Sequence, residues 1–213
     1  TCYNVDLTRQ FRYCLQTKAP ASPDRSIRSL RTLTLSIPAH KSGFEALSHL
    51  MIDGESAGPT PEAAVNAVAS AVGENDPDVI VVSTAELIPL LFDAAETHKV
   101  RNFELGREPG YTKLAGETSY TSYGQVGHSP ARYTLPGRVV IDESNTFFYH
   151  EAGLPGCLNL VDRAGLPLEE LGWASIGRVL TALQVSAARD RDVLVPWHAW
   201  RPELCKSAAT LDA

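Results

Sequence analysis

Residue types able to act as nucleophile, base or metal ligand all occur in this chain, and their spacing decides what they can do. The serine nearest to a nucleophile pattern is Ser129, in Gly127-His128-Ser129-Pro130-Ala131. A nucleophile elbow needs a glycine where Ala131 stands. Its oxyanion hole uses the N–H of the residue after the serine, and Pro130 has none. No buried strand leads directly into the segment, so serine hydrolysis is not expected. The six histidines (His40, His49, His98, His128, His150, His198) are dispersed, with no pair at ligand spacing beside a cysteine pair. A zinc centre is not expected from them. Gly-rich phosphate cradles of either common spacing are absent. Hydrolysis by two divalent cations remains to be weighed; it needs several carboxylates converging on ions roughly 4 Å apart. The carboxylate that draws attention is Asp142, which closes Gly137-Arg138-Val139-Val140-Ile141-Asp142, with Glu143 beside it. One carboxylate cannot hold two metals, and an Asp at a strand end reads first as a cap for the helix that follows.

The elements that must position these residues are partly legible. Residues 1–29 read as a strand over Cys2–Leu7 and then an extended connector. Leu30 to Ile37 alternates Leu33, Leu35 and Ile37 with Thr32, Thr34 and Ser36, the period of a half-buried strand. Ala46 to Ile52 reads as a second strand ended by the turn dipeptide Asp53-Gly54. Thr60-Pro61-Glu62 starts a helix with Thr60 as N-cap, Val65, Val68, Ala69 and Val72 form its stripe, and Gly73 is expected to stop it. Asp78 to Val82 is a β-branched run suited to burial on both faces. Ser83 or Thr84 is expected to cap a helix through about Thr97, with Pro89 kinking it or moving its start. From Glu108 to Pro136 the composition indicates loops, with a hairpin around Gly127-His128-Ser129-Pro130. Arg138 to Ile141 reads as a buried strand, Asn145 to Ala152 as helix and Pro155-Gly156 as a turn. Trp173, Ile176, Leu180, Leu183 and Ala187 follow helical spacing up to Arg189 and Arg191, and Pro196 ends that element.

The chain has 213 residues, enough for one sizeable domain with a full core, or one domain and a small appendage. A net charge of -6 argues against nucleic-acid binding by bulk electrostatics, so any DNA contact needs a local basic patch. No apolar run approaches a membrane span and no signal-peptide pattern opens the chain, so no membrane is expected as a partner. The cysteines Cys2, Cys14, Cys157 and Cys205 lie far apart, which reads as reduced thiols in a cytoplasmic protein, a Cys2–Cys14 bridge being the lesser alternative.

Taken together, Asp76-Pro77-Asp78-Val79-Ile80-Val81, Gly137–Asp142 and the helix from Ala174 to Leu194 ending in Val195-Pro196 resemble the exonuclease domain of archaeal B-family DNA polymerases. Tyr123–Tyr133 and Arg12-Tyr13-Cys14-Leu15 look closest to a divergent branch found in halophiles, whose exonuclease motifs are degraded. The resemblance covers roughly Leu30 to Lys206. It implies an α/β fold of ribonuclease H-like architecture, a mixed central sheet flanked by helices. The implied division is an N-terminal segment 1–29, an exonuclease-like domain 30–172, and a long helix and linker 173–213 leading to a palm domain that this sequence does not include.

The same resemblance locates the chemistry and shows it depleted. Where a relative reads hydrophobic-Asp-Ile-Glu, this chain reads Leu35-Ser36-Ile37-Pro38, so Ser36 and Pro38 replace two carboxylates that a hard cation requires. In the second motif, Thr84 falls at an Asn position and Leu87 at an Asp position, with Glu86 adjacent. The third motif, Tyr-x-x-x-Asp, is missing from residues 157–172, as if its helix were deleted. Asp142 is the residual carboxylate. No catalytic residue and no metal or other cofactor is expected, with Mg²⁺ required only if exonuclease activity survives. Polymerisation by this chain alone is not expected, and the start at Thr1 suits a piece of a longer polypeptide. The expected role is a DNA-guiding scaffold in replication or repair. His128, Arg132, Tyr133, Arg138 and Arg178, with Trp197, Trp200, Arg201 and Lys206 further on, are candidates for DNA contact; taken singly, each also reads as a solvated charge or packed ring. The alternatives are an active 3′–5′ exonuclease using Glu86, Asp142 and Glu143, and an interaction module that no longer touches DNA.

Overall fold

The computed structural model describes residues 7–21, 29–39, 41–122 and 124–193. In chain order the elements are α1 (Arg9–Thr17), β1 (Thr32–Ser36), α2 (Gly43–Leu47), β2 (Met51–Ile52), β3 (Glu55–Ser56), α3 (Pro61–Asn75), β4 (Val79–Val82) and α4 (Leu87–Thr97). Then follow β5 (Thr112–Ala115), β6 (Thr118–Ser122), β7 (Gln125–Ser129), β8 (Arg132–Thr134), β9 (Val139–Asp142), α5 (Phe147–Ala164), α6 (Leu168–Leu171) and α7 (Ile176–Asp190). They fall into two compact units, Arg25–Thr146 and the pair of segments Thr1–Asp24 with Phe147–Ala213.

The first unit is built on a five-stranded sheet of order β3-β2-β1-β4-β9. Strands β1, β4 and β9 run parallel, and β2 and β3 are antiparallel additions on the β1 side. This is the expected mixed sheet in an α/β fold. Leu33 and Leu35 project from one face of β1 and are fully buried with Ile80, Val82 and Val140 and with residues of α3 and α4. Each fully buried aliphatic side chain of this kind contributes roughly 1.5–3 kcal/mol. Val79, Val81 and Ile141, on the opposite face, are buried as well, which agrees with the continuous β-branched runs of β4 and β9.

Several expectations need correction. The strand expected over Ala46–Ile52 is only Met51–Ile52; Ala46, Leu47 and Leu50 are all fully buried at helical rather than alternating spacing, and α2 takes the first two. The Asp53-Gly54 turn does form, with both residues at positive φ (49° and 87°), as a tight hairpin needs. In α3 the Thr60 hydroxyl accepts from the Ala63 N–H at 3.2 Å and Pro61 occupies the first turn. The helix continues through Gly73, and Asp76 supplies the left-handed C-cap instead, its N–H donating to the Val72 carbonyl at 3.0 Å. Helix α4 starts at Leu87, not at Ser83 or Thr84, because proline lacks an N–H and Pro89 is accommodated in a first turn. The hairpin turn lies between Ser122 and Gln125, where Gly124 has φ +76°, so Gly127–Ser129 belong to a strand and not to the turn.

The second unit contains α1, α5, α6 and α7. Helix α1 replaces the expected connector: Thr8 caps it, accepting from the Phe11 N–H at 3.2 Å, and Phe11 is buried. Of the expected strand over residues 2–7, only Leu7 is among the described residues. The expected turn at Pro155-Gly156 is the start of a helical segment inside α5. The break is at Gly153, whose φ of 61° and ψ of −169° suit glycine, and Pro155 sits two residues beyond it. Helix α7 begins at Ile176 behind a Ser175 cap and buries Val179 and Ala182, whereas Ile176 and Leu180, expected on the packed stripe, are exposed. Cys14 and Cys157 are free thiols, and burial pushes Cys157 up to about 11. No described helix is long and apolar enough to cross a membrane. Cys2, Tyr123, Pro196, Trp197, Trp200, Arg201, Cys205 and Lys206 lie outside the described residues.

Candidate functional site

Parallel strands present their C-terminal ends together, and the positions that the resemblance compares with metal ligands lie at or just beyond these ends. The register aligns Leu35 with Val82 and Val82 with Asp142. Residues in register share a face, so Asp142 projects with Leu35 and Val82, and Ser36 projects from the other side of the sheet. Asp142 is 3% exposed and its carboxylate is spent locally. One oxygen accepts from the Ser144 N–H at 3.1 Å and the Ser144 hydroxyl at 2.6 Å, and the other accepts from the Asn145 amide. Its carbonyl accepts from the Asn145 and Thr146 N–H groups at 3.1 and 2.8 Å. Asp142 therefore caps its own turn, just ahead of the helix that begins at Phe147.

Adjacent residues tie the same strand ends together. The Ser83 N–H donates to the Leu35 carbonyl at 3.0 Å, the Ser83 hydroxyl accepts from the Ile37 N–H at 3.1 Å, and the Glu143 N–H donates to the Val82 carbonyl at 2.9 Å. Pro38 lies in a turn closed by the Lys41 N–H. The Thr84 carbonyl accepts from the Leu87 N–H at 3.1 Å, opening α4. Leu87 is fully buried, so the position where the resemblance expects an Asp belongs to the core. Glu86 is half-buried; its Oε1 is buried, without a hydrogen-bond partner among the described residues. Its charge lies near enough to Tyr133 to help burial raise that phenol above its ordinary value. Among the described residues, no three His, Cys, Asp or Glu side chains are grouped so as to hold a metal ion.

A denser polar assembly occupies the N-terminal ends of the same three strands. Asp76 and Asp78 stand before β4, Arg31 before β1 and Arg138 before β9; Arg107 comes from the loop after α4. Arg31 pairs with Asp76 at 2.6 Å, Arg107 with Asp76 at 3.1 Å and with Asp78 at 2.7 Å, and Arg138 with Asp76 at 2.9 Å. Arg107 also donates to the Gly137 carbonyl at 2.8 Å, and Arg138 to the Pro77 carbonyl. Gly137 has φ +74°, and a Cβ there would come within 2.9 Å of the Arg107 Cβ, so glycine is required twice over. Hydrogen bonds from Arg107, then Arg31 and Arg138, hold the Asp76 carboxyl far below the usual carboxylate range. Sequence reasoning missed Arg31 and Arg107. Arg107 lies in a stretch without periodicity, and only the paired acids of Asp76-Pro77-Asp78 hinted that cations must meet them.

Among the described candidate DNA-contact residues, several are already engaged in other contacts. Arg138 is only 5% exposed and committed to the ion network, which corrects its expected place at a solvated strand edge. Tyr133 is buried, its ring 5.7 Å from that of Tyr111, so it offers no open face for a base to stack on. Arg178 lies in the second unit and pairs with the buried Glu170 at 2.8 Å. His128 is exposed on β7, 3.8 Å from Glu117, and Arg132 is half-buried on β8.

No family model matches the chain, and no curated protein matches it. Among solved structures, it is similar to the family B DNA polymerase from the hyperthermophilic archaeon Pyrobaculum calidifontis, with 17% identity and a TM-score of 0.45. That similarity covers 81% of this chain and 31% of the polymerase chain.

Proposed function

We propose that this chain is an exonuclease-like domain of ribonuclease H-like architecture, of the kind found in B-family DNA polymerases, that has lost its nuclease chemistry and serves as a scaffold guiding DNA. Support for the architecture comes from the sheet order, an antiparallel β3-β2-β1 run extended by parallel β4 and β9 with helices in the crossovers. Support for the polymerase kinship comes from the sequence motifs at Asp76–Val81 and Gly137–Asp142. The observation that carries the loss of chemistry is Asp142: of the positions compared with metal ligands, Ser36, Pro38, Thr84, Leu87 and Asp142, it alone is acidic, and both its oxygens already accept hydrogen bonds within its own turn. Ser36, Pro38, Thr84 and Leu87 supply no charge that could replace it. The expected partners are primer–template or single-stranded DNA and a palm domain.

Degradation of single-stranded DNA in Mg²⁺ or Mn²⁺ tests the reading directly. The wild-type chain and Asp142→Ala should both leave the substrate intact. Metal-dependent degradation abolished by Asp142→Ala would instead establish the active exonuclease using Glu86, Asp142 and Glu143. One observation favours a second reading, an interaction module without DNA contact: Tyr133, Arg138 and Arg178 are buried or ion-paired. Titrating labelled primer–template DNA across a salt series separates the two, because phosphate contacts weaken steeply with salt. His128→Ala and Arg132→Ala should weaken salt-sensitive binding if DNA is guided across β7 and β8.

A further inference from the structure

Helix α4 and the loop after it form one wall of an open cleft of about 530 Å³ within the Arg25–Thr146 unit. Aromatic rings line it in sequence of contact. Phe103 meets Phe92 edge-on at 5.3 Å, and Phe92 meets Tyr111 at 5.0 Å. Tyr111 in turn meets Tyr133 at 5.7 Å, behind the cleft. Three carboxylates share the lining: Asp93, Glu96 and Glu104. Among the described lining residues none is Lys or Arg; Lys99 and Arg101, the nearest basic residues in sequence, are exposed but outside the lining. The wall is held in place, since the Glu104 carboxylate accepts from the Gly110 N–H at 2.7 Å, leaving Asp93 and Glu96 as the outward acids.

The two ends of this ring series differ in one respect that identifies an occupant. At its far end a cation is already seated, the Lys113 ammonium 5.7 Å from the centre of the Tyr133 ring. At the cleft end, Phe92 and Tyr111 have the same negative ring faces beside exposed carboxylates and no seated cation among the described residues. Burial, then charge from Glu86, Tyr111, Glu117 and Asp93, raises the Tyr133 phenol, and Asp93 is the one cleft carboxylate among these groups. A cation is attracted by an aromatic face and gains further from adjacent carboxylates. A planar guanidinium suits both, because it stacks on a ring while its N–H fork meets a carboxylate.

We propose that this cleft is a docking site for an arginine side chain presented by a partner protein, with the guanidinium against Phe92 and Tyr111 and its N–H groups on Asp93 and Glu96. The proposal does not depend on the polymerase reading. The test uses the full chain and a capped Gly-Arg-Gly-Arg-Gly peptide, followed through the aromatic ring signals in NMR. The Phe92 and Tyr111 signals should shift on titration. Replacing both peptide arginines by citrulline, which keeps the shape and removes the charge, should abolish the shifts. The exposed pair Asp93→Asn and Glu96→Gln together should weaken binding by about tenfold or more, the scale of losing a charge-assisted contact. Equal binding of the citrulline peptide, unmoved Phe92 and Tyr111 signals, or unchanged affinity in the double variant would each overturn it. The citrulline comparison uses wild-type protein, so it stands even if the double variant folds poorly.

Discussion

At the residue scale, Leu87 and Asp76 show how differently this unit treats an apolar side chain and a carboxylate. Leu87 is a fully buried member of the core at the start of α4, so placing a carboxylate there means burying a charge. Leu87→Asp should lower unfolding free energy by roughly 3 kcal/mol or more, from lost packing and an unpaired buried charge. Urea denaturation measures it; a neutral outcome would mean the position opens to solvent. Asp76 behaves in the opposite way, as an acid held ionised by three arginines. Its folded value lies below the ordinary one near 3.9, so its stabilisation is present above about pH 4 and is lost as pH falls toward the folded value. Asp76→Asn should therefore be less stable than wild type at neutral pH and should show a shallower loss of melting temperature below about pH 4. Parallel acid limbs for the two proteins would contradict this assignment.

At the scale of elements, glycine positions show why some boundaries were legible and others were not. Gly73 reads as a stop in sequence, yet it sits within α3 with open space where a Cβ would go. Gly153 carries no such signal beside the conspicuous Pro155-Gly156, yet it breaks α5. Gly73→Ala should stabilise the protein by about 0.5–1 kcal/mol, and Gly153→Ala should destabilise it by about 1–3 kcal/mol. The urea midpoints of the two variants should move in opposite directions. Local rules succeeded where the chain satisfies itself, as in the Thr60-Pro61 helix start, the Asp53-Gly54 turn and the alternation of β1. They failed where a partner distant in sequence decides the outcome. Ala46, Leu47 and Leu50 follow a helical period because the core lies on one side of them. At the candidate site, the uncharged types of Ser36, Pro38, Thr84 and Leu87 were readable from the sequence. That Asp142 would spend both oxygens on Ser144 and Asn145 depends on a turn geometry that residue types alone do not specify.

At the scale of the whole molecule, the Arg25–Thr146 unit has a hydrophobic cluster drawn entirely from its own residues, Leu33 to Val140. A chain restricted to residues 25–146 should unfold cooperatively in urea with a native-like circular dichroism spectrum; a featureless transition would show that the unit needs the rest of the chain. Asp76, Asp78 and Arg138 stand at the leading ends of the parallel strands, where Arg31 and Arg107 join them, whereas Asp142 closes the trailing end of β9. Hydrolytic chemistry in such a framework would belong at the trailing ends. A likeness drawn through Asp76–Val81 and Arg138 therefore follows what holds the strand ends together and carries no information on chemistry at the opposite ends. Whether such a sheet cuts DNA is decided by side chains one strand length away, which can be exchanged without disturbing this charged end.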